Sequence, residues 1–382
     1  MTSRERVLAI IRHEPTDHLP LCFEGICHGA PRYLREQIPD PFARARYYLE
    51  REMDTAVVCN PPSLSPQHFQ TRQWIEHPAG ERYPVLHKEY DTPHGVLRQV
   101  VRKTEDYPEQ VDLFSDHNVP SGRSLEYLVS AEQHLAPLAY LFQPPEDEQV
   151  SQYLEQARVV REFCDREQVL MAAHLPGVGD PLIWMCGVEA SVFAALERPE
   201  FLQALIAIIS RWNLRLLELA IEAGCQHIVR RGIYESTVFW SPALYGRFLL
   251  GPLQAETRMA HEGGLTLDYL NTAGETPLLS HYEAAGIDML SNLDPLAPGA
   301  DLVTVKQRLG GKVALCGGIN NTLILEAGTP EQVREEVARA ADLLGSGGGY
   351  IMAPSDGPGY IVTTDTVRRN CEVMVEAWRA IR

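Results

Sequence analysis

Hydrophobic and polar positions along this chain follow two alternating periods. Short apolar runs of strand length recur near residues 19, 55, 168, 227, 265, 289, 313 and 350, and segments with apolar residues three or four apart lie between them. The first helix reads over 3–13, with Val7, Leu8, Ile10 and Ile11 as its apolar positions and Pro15 ending it. Strands over 19–23 and 55–60 flank a helix over 41–53. After a long helix over 145–167 the alternation becomes regular. Strands over 168–174, 226–232, 265–271 and 289–294, one starting at 313, and one over 350–355 are separated by helical segments. Those helices read over 188–196, 199–223, 242–261, 276–285, 301–309, from 329, and 366–381. Thr329-Pro-Glu-Gln332 has an N-cap threonine, a proline at the first helical position and glutamine at the third. Val313-Ala-Leu-Cys316 reads as a buried parallel strand, and Gly317-Gly318 after it suits a close backbone approach or positive φ.

Eight strands separated by helices predict a single (β/α)8 barrel domain over 1–382. The rival, a doubly wound open sheet, lacks its usual support, because no GxGxxG follows the first strand. Between the second and third strands the texture changes. Residues 83–102 place Tyr90-Asp-Thr-Pro-His-Gly95 between two β-rich arms, which predicts an inserted β-hairpin.

Composition narrows the function classes. Hydrophobic residues make up 45% of the 382, as in a globular protein with a sizeable core. No apolar run reaches the 18 residues of a membrane span, and the charged start reads as an amphipathic helix and not a signal peptide. Eight scattered cysteines with no CxxC pair suggest reduced thiols and a cytoplasmic address. A net charge of −17 disfavours nucleic acid as a partner and leaves a small-molecule substrate as the expectation.

A barrel gathers the C-terminal ends of its strands on one face, where the chemistry of such folds lies. That rule yields His28 and Arg32, Asn60, His174, Arg230, Arg231 and Glu235, Asn271, Asp294, Cys316, and Ser355-Asp356 as candidates. Asn60, His174, Asn271 and Ser355 suit loop bracing as well as they suit a substrate. Cys316 fits a small core hydrophobe as readily as a ligand, and Asp294 before Pro295 fits an Asx turn. Arg230-Arg231 is more demanding. Alternation along a strand turns one of them toward the barrel interior, where it needs an acidic partner or an anionic ligand. The inward arginine is expected at the mouth, near Arg32 and Asp356.

Several stretches, taken in order, resemble the uroporphyrinogen decarboxylase superfamily. They are Arg4-Glu-Arg-Val-Leu-Ala-Ile-Ile-Arg-His-Glu, Ala30-Pro-Arg-Tyr-Leu34, His174-Leu-Pro-Gly-Val-Gly-Asp-Pro181, Phe239-Trp-Ser-Pro-Ala-Leu-Tyr245, Gly286-Ile-Asp288, Cys316-Gly-Gly-Ile-Asn320 and Gly347-Gly-Gly-Tyr-Ile351. The resemblance implies a TIM barrel, often dimeric. Its decarboxylase branch places two arginines in the first loop, an aspartate after the second strand and a late histidine. Here those positions look like His28 with Arg32, Asn60 and Asp356, which disfavours porphyrinogen chemistry. Its methyltransferase branch binds zinc through a His-x-Cys pair and a late Cys, positions that look like Asn271, Ala273 and Asp356.

The leading expectation from the resemblance is a methyltransferase-type enzyme. It would move a methyl group between a small anionic or methoxylated substrate and a corrinoid carried by a partner protein. His174, Glu235 and Asp356 would be acid–base or metal-binding groups. His28, Arg32, Asn60, Arg230, Arg231 and Asn271 would contact substrate, and Cys316 with Asp356 would form a partial zinc site. A cofactor-free decarboxylase and a non-catalytic binding protein on the same barrel are the alternatives.

Overall fold

The computed structural model describes residues 1–26, 29–64, 68–108, 110–359 and 363–382. Its strands in chain order are β1 (Ala56–Val58), β2 (Gln70–Glu76), β3 (Val85–Thr92), β4 (Gly95–Arg102), β5 (Ser124–Glu126), β6 (Leu170–Leu175), β7 (His227–Arg231), β8 (Thr266–Leu270), β9 (Met289–Leu293), β10 (Ala314–Ile319) and β11 (Tyr350–Pro354). Seven of these form one curled sheet in the order β1-β6-β7-β8-β9-β10-β11, with every neighbouring pair parallel. The other four form an antiparallel sheet, β2-β3-β4-β5.

The strand expected over 19–23 is reduced to two bridges, Leu21 with Met352 and Cys22 with Asp54. Those bridges nevertheless span the gap between β11 and β1. Cys22 N–H donates to Met352 O at 2.9 Å, Met352 N–H to Pro20 O at 2.9 Å, and Asp54 N–H to Leu21 O at 2.9 Å. The segment is short because the chain turns away at Gly25, where φ is +91°. A Cβ there would lie 2.1 Å from Ala56 O, so only glycine permits this approach. The barrel is therefore of the eight-stranded kind, with a minimal first strand.

Inside the ring, Cys22, Ala56, Leu170, Ala172, Met289, Ala314, Cys316, Ile351 and Ala353 pack together. Val7, Ile10 and Ile11 of the helix Ser3–Ile11 join them from the N-terminal end. Outside it, a continuous core joins the strands' other faces to the surrounding helices. Gly317 (φ +128°) lies at a register shift between β9 and β10, and a Cβ on it would come within 2.6 Å of Leu293 backbone atoms.

The expected hairpin over 83–102 is the central pair of the larger inserted sheet. Its turn is closed by the Thr92 hydroxyl donating to Gly95 O at 2.7 Å. The flanking strands left no periodic signal, because Gln70–Glu76 is almost wholly exposed and polar and β5 has three residues. One further expectation changes: the helix read over 242–261 breaks into Pro242–Phe248 and Leu250–Glu262. A helix that the pattern did not predict, Gly179–Cys186, follows β6. Among the described residues no single helix is long and apolar enough to cross a membrane, although the bent pair Gly179–Cys186 and Val188–Glu197 meets that test jointly. The described cysteines form no disulfide with one another.

Candidate active site

Strand β7 decides the orientation of the two arginines. Ile228 belongs to the helix-facing core, so period two sends Arg230 to that layer and Arg231 toward the barrel axis. Arg230 is fully buried. Its Nε donates to Glu256 at 2.6 Å, and its Nη1 donates to Glu235 and to Arg231 O, the latter at 2.9 Å. Glu235 also accepts from the Gly179 N–H at 2.6 Å and the Tyr269 hydroxyl at 2.7 Å, and Glu256 accepts from Asn213 at 2.7 Å. This network sits between the strand and the helices Pro199–Ala223 and Leu250–Glu262. It places Glu235 among structural partners, away from solvent and from the mouth.

Arg231 has a different setting. Its Nε donates to Asp180 at 2.9 Å, and its Nη2 lies 3.4 Å from Asp116, which arrives from the inserted region. Its Nη1 hydrogen-bonds to no described residue. The guanidinium carbon stands 5.3 Å from the centre of the Trp184 ring. Arg231, Trp184, Asp116, His117, Phe114 and Lys88 line a cleft of about 710 Å³ between the inserted sheet and the barrel mouth. A smaller cavity, about 240 Å³, lies on the outer wall against the helices Pro41–Leu49 and Asp365–Ile381, away from the strand ends, so the cleft is the candidate site.

Electrostatics at the cleft are balanced. Burial pushes the Asp180 carboxyl up to about 6, with Arg231 opposing. Asp180 accepts from Arg231 Nε at 2.9 Å and so compensates the arginine. The Asp356 carboxyl is pushed up by crowding from nearby protein atoms, with Arg231 lowering it and Asp116 raising it. Its side chain is open to solvent, so this push is modest. Arg231 and Asp116 both act electrostatically on Asp356, which follows β11 at the C-terminal end of that strand.

The remaining candidates are dispersed. His28 lies outside the described residues. Arg32 pairs with Glu36 at 2.8 Å, and its N–H donates to Pro358 O at 3.0 Å, which joins the first loop to the last. Asn60 accepts the His174 N–H at 2.8 Å, and His174 falls on the interior-facing side of β6. Asn271 donates to Gly232 O at 3.0 Å, tying the loop after β8 to the end of β7. Asp294 accepts twice from Asn320 and once, at 3.0 Å, from Ser355.

Sequence reasoning missed Asp116, Asp180, Trp184, Tyr234 and Glu275. Glu275, in the loop after β8, is almost fully buried, and its Oε2 finds no hydrogen-bond partner among the described residues. Burial, reinforced by Asp294, holds its carboxyl at about 7. Asp268 inside the barrel is likewise fully buried. It accepts from Ser291 at 2.6 Å and is pushed far up by burial. A carboxylate in mid-strand was the available signal for Asp268, and Gly274-Glu-Thr-Pro277 after a strand was the signal for Glu275.

The described residues do not fit a zinc centre. No three His, Cys, Asp or Glu side chains among them come together as a ligand set. Cys316 packs among the apolar interior side chains, whereas Asp356 is exposed at the mouth.

A (β/α)8 barrel with polar side chains gathered at its strand ends defines the class. A family model described as uroporphyrinogen decarboxylase matches residues 135–381, and the chain belongs to that family. A methyltransferase from Methanosarcina mazei is similar in structure over 100% of this chain and 99% of its own, at 16% identity and a TM-score of 0.60. A 3-keto-D-glucoside 4-epimerase from E. coli matches 67% of this chain and 97% of its own, at 10% identity and a TM-score of 0.39. No curated sequence matches the chain.

Proposed function

We propose that this protein is a methyltransferase-type enzyme. It binds a small methoxylated carboxylate in the cleft and passes the methyl group to a corrinoid held by a partner protein. The observation carrying this reading is the reach of the comparisons. The family match begins at residue 135, beyond the inserted sheet, whereas the structure named as a methyltransferase covers the chain from end to end, including the insertion that walls the cleft. The corrinoid would supply the methyl-accepting nucleophile, and everything else falls to this chain.

Arg231 anchors the substrate carboxylate; a charge-assisted contact of this kind contributes roughly 1.5–3 kcal/mol. Trp184 gives the substrate body an apolar wall. As the oxygen–methyl bond breaks, the electron pair stays on oxygen, which must take up a proton. Asp356, exposed at the same mouth and with its carboxyl pushed modestly upward, relays that proton from solvent. The carboxy-lyase alternative would use the same pair, with Asp356 protonating a carbanion.

The test is incubation with 4-methoxybenzoate and cob(I)alamin. Formation of 4-hydroxybenzoate, with the cobalt absorption changing in step, is the expected result. Carbon dioxide and anisole would establish the carboxy-lyase reading instead, and no turnover of either kind would sink both for this substrate class.

A further inference from the structure

Three donors from the barrel mouth converge on one carboxylate that belongs to the insertion. The Trp184 indole N–H donates to Asp116 Oδ1 at 2.9 Å, the Tyr234 hydroxyl donates to the same oxygen at 2.9 Å, and Arg231 Nη2 stands 3.4 Å from Oδ2. Trp184 comes from the helix Gly179–Cys186 that follows β6, Tyr234 from the turn after β7, and Arg231 is the last residue of β7. Asp116 is positioned separately. It opens the short helix Asp116–Asn118, which is tied back into the insertion. There the Tyr107 hydroxyl donates to Asn118 at 2.6 Å, and Asn118 donates to Asp112 O at 2.7 Å.

We infer that Trp184, Tyr234 and Arg231 form a carboxylate-binding cradle, and that Asp116 is its internal occupant, exchanged for the carboxylate of a bound small molecule. The inference rests on the reading of Arg231 as the substrate anchor and names the other two donors of that anchor.

Four observations support exchange over a permanent brace. Asp116 keeps 51% of its side chain exposed, so it returns to water at little cost, whereas Asp180 on the other edge of Arg231 is fully buried. The contact of Asp116 with Arg231, at 3.4–3.5 Å, is longer than a charge-assisted hydrogen bond, while that of Asp180 is 2.9 Å. Trp184 is buried and lines the cleft, so its indole N–H needs an acceptor there, and a ligand oxygen can take the place of Asp116. Exchanging one carboxylate for another also leaves the local charge unchanged.

The same balance sets the ligand class. Arg231 with Asp180 and Asp116 carries one net negative charge, so a monoanion that takes the place of Asp116 leaves that balance as it is and a dianion adds uncompensated charge. Phe114 and Trp184, with ring centres 6.0 Å apart, line the cleft beside the cradle and suit a carboxylate on an apolar body.

Benzoate is the probe and benzamide its neutral isostere, with binding followed by calorimetry on the whole chain without corrinoid or turnover. Asp116→Asn and Asp116→Ala should each bind benzoate about tenfold tighter than the native protein, a gain of about 1.4 kcal/mol, with benzamide unaffected. Adding Trp184→Phe and Tyr234→Phe to Asp116→Asn should abolish the gain. Benzoate bound no tighter by either Asp116 variant at an unchanged melting temperature would overturn the inference. If one variant melts early, the other decides; if both do, Asp116 is a structural brace and the inference is likewise overturned. Loss of methyl transfer with this benzoate pattern intact removes only the proposed reaction, whereas the converse removes only the exchange.

Discussion

On the helix-layer side of β7, Arg230 is enclosed by Glu235 and Glu256, and none of the three side chains reaches solvent. On the mouth side, Arg231 keeps 29% of its side chain exposed and holds one buried carboxylate closely and one exposed carboxylate loosely. Two adjacent residues of the same type thus meet opposite physics. A buried charge is tolerable only while its partners stay in place, so the network around Arg230 has no freedom to change. The pair at the mouth can exchange an oxygen for water or for ligand because the solvent covers the difference. The first arrangement fixes the positions of the strand end and its loop, and the second works on that fixed base.

The largest expected effect tests this contrast directly. Arg230→Met strands two buried glutamates and should destabilise the fold by about 3–5 kcal/mol in urea unfolding. Arg231→Met strands one buried carboxylate, Asp180, which keeps the Tyr234 N–H, so its cost should be smaller, about 1–3 kcal/mol. It should nevertheless weaken benzoate binding about 10- to 100-fold. If both variants lose equal stability and neither loses affinity, the two sides of β7 do the same job and the comparison is wrong.

Glu275 sharpens the contrast, since it has the enclosure of Glu235 with no cation beside it among the described residues. Its carboxyl is held at about 7 in the fold, above its ordinary value of 4.5. A raised value means that the fold favours the protonated form. Stability from this group is full below about 4.5 and is lost as pH rises toward 7. Glu275→Gln cannot ionise, so it should match the native protein near the lower limit and exceed it by up to about 3 kcal/mol at pH 8. Unfolding midpoints at pH 5 and pH 8 check this. A variant no more stable at pH 8 than the native protein would mean that Glu275 has a cationic or donor partner.

Much of the barrel was legible in the chain, because parallel strands buried on both faces read as apolar runs with helices between them. Val313–Gly318 showed its strand, and its glycines announced a close approach or a positive φ without naming β9 as the neighbour. The segment near 19 was read as a full strand because Gly25 gives no warning that the chain turns there. At the site, the doublet Arg230-Arg231 was legible as a problem, since one arginine had to face each way. Assigning the faces needed the register of β7, which Ile228 reveals only once packed. Glu235 was taken for a mouth residue from its place after β7, and the loop curls it back under the strand to meet Arg230. Asp116 was invisible for a different reason. The segment between β4 and β5 has no period, and only the fold brings it across the cleft. Trp184 was hidden because the helix that carries it, Gly179–Cys186, is buried on every side and so shows no alternation of apolar and polar positions.

The smallest effect concerns the bracing side chains that share the mouth with Arg231. Asn60 accepts the His174 N–H at 2.8 Å and so ties the loop after β1 to the end of β6. Its residue is exposed, so water replaces the contact when the amide is removed, and the net loss should be about 0.5–1.5 kcal/mol. Asn60→Ala should therefore lower the urea midpoint slightly and leave benzoate affinity within about twofold, far less than the tenfold that 1.4 kcal/mol would produce. The reason is position: the cradle is built from the segments after β6 and β7, and His174 keeps its strand pairing to Val229 whether or not Asn60 caps its N–H. A tenfold loss of benzoate affinity at nearly native stability would place Asn60 in contact with the ligand. The open side of the comparison would then extend across the barrel from β7 to β1, and the ligand would be long enough to span that distance.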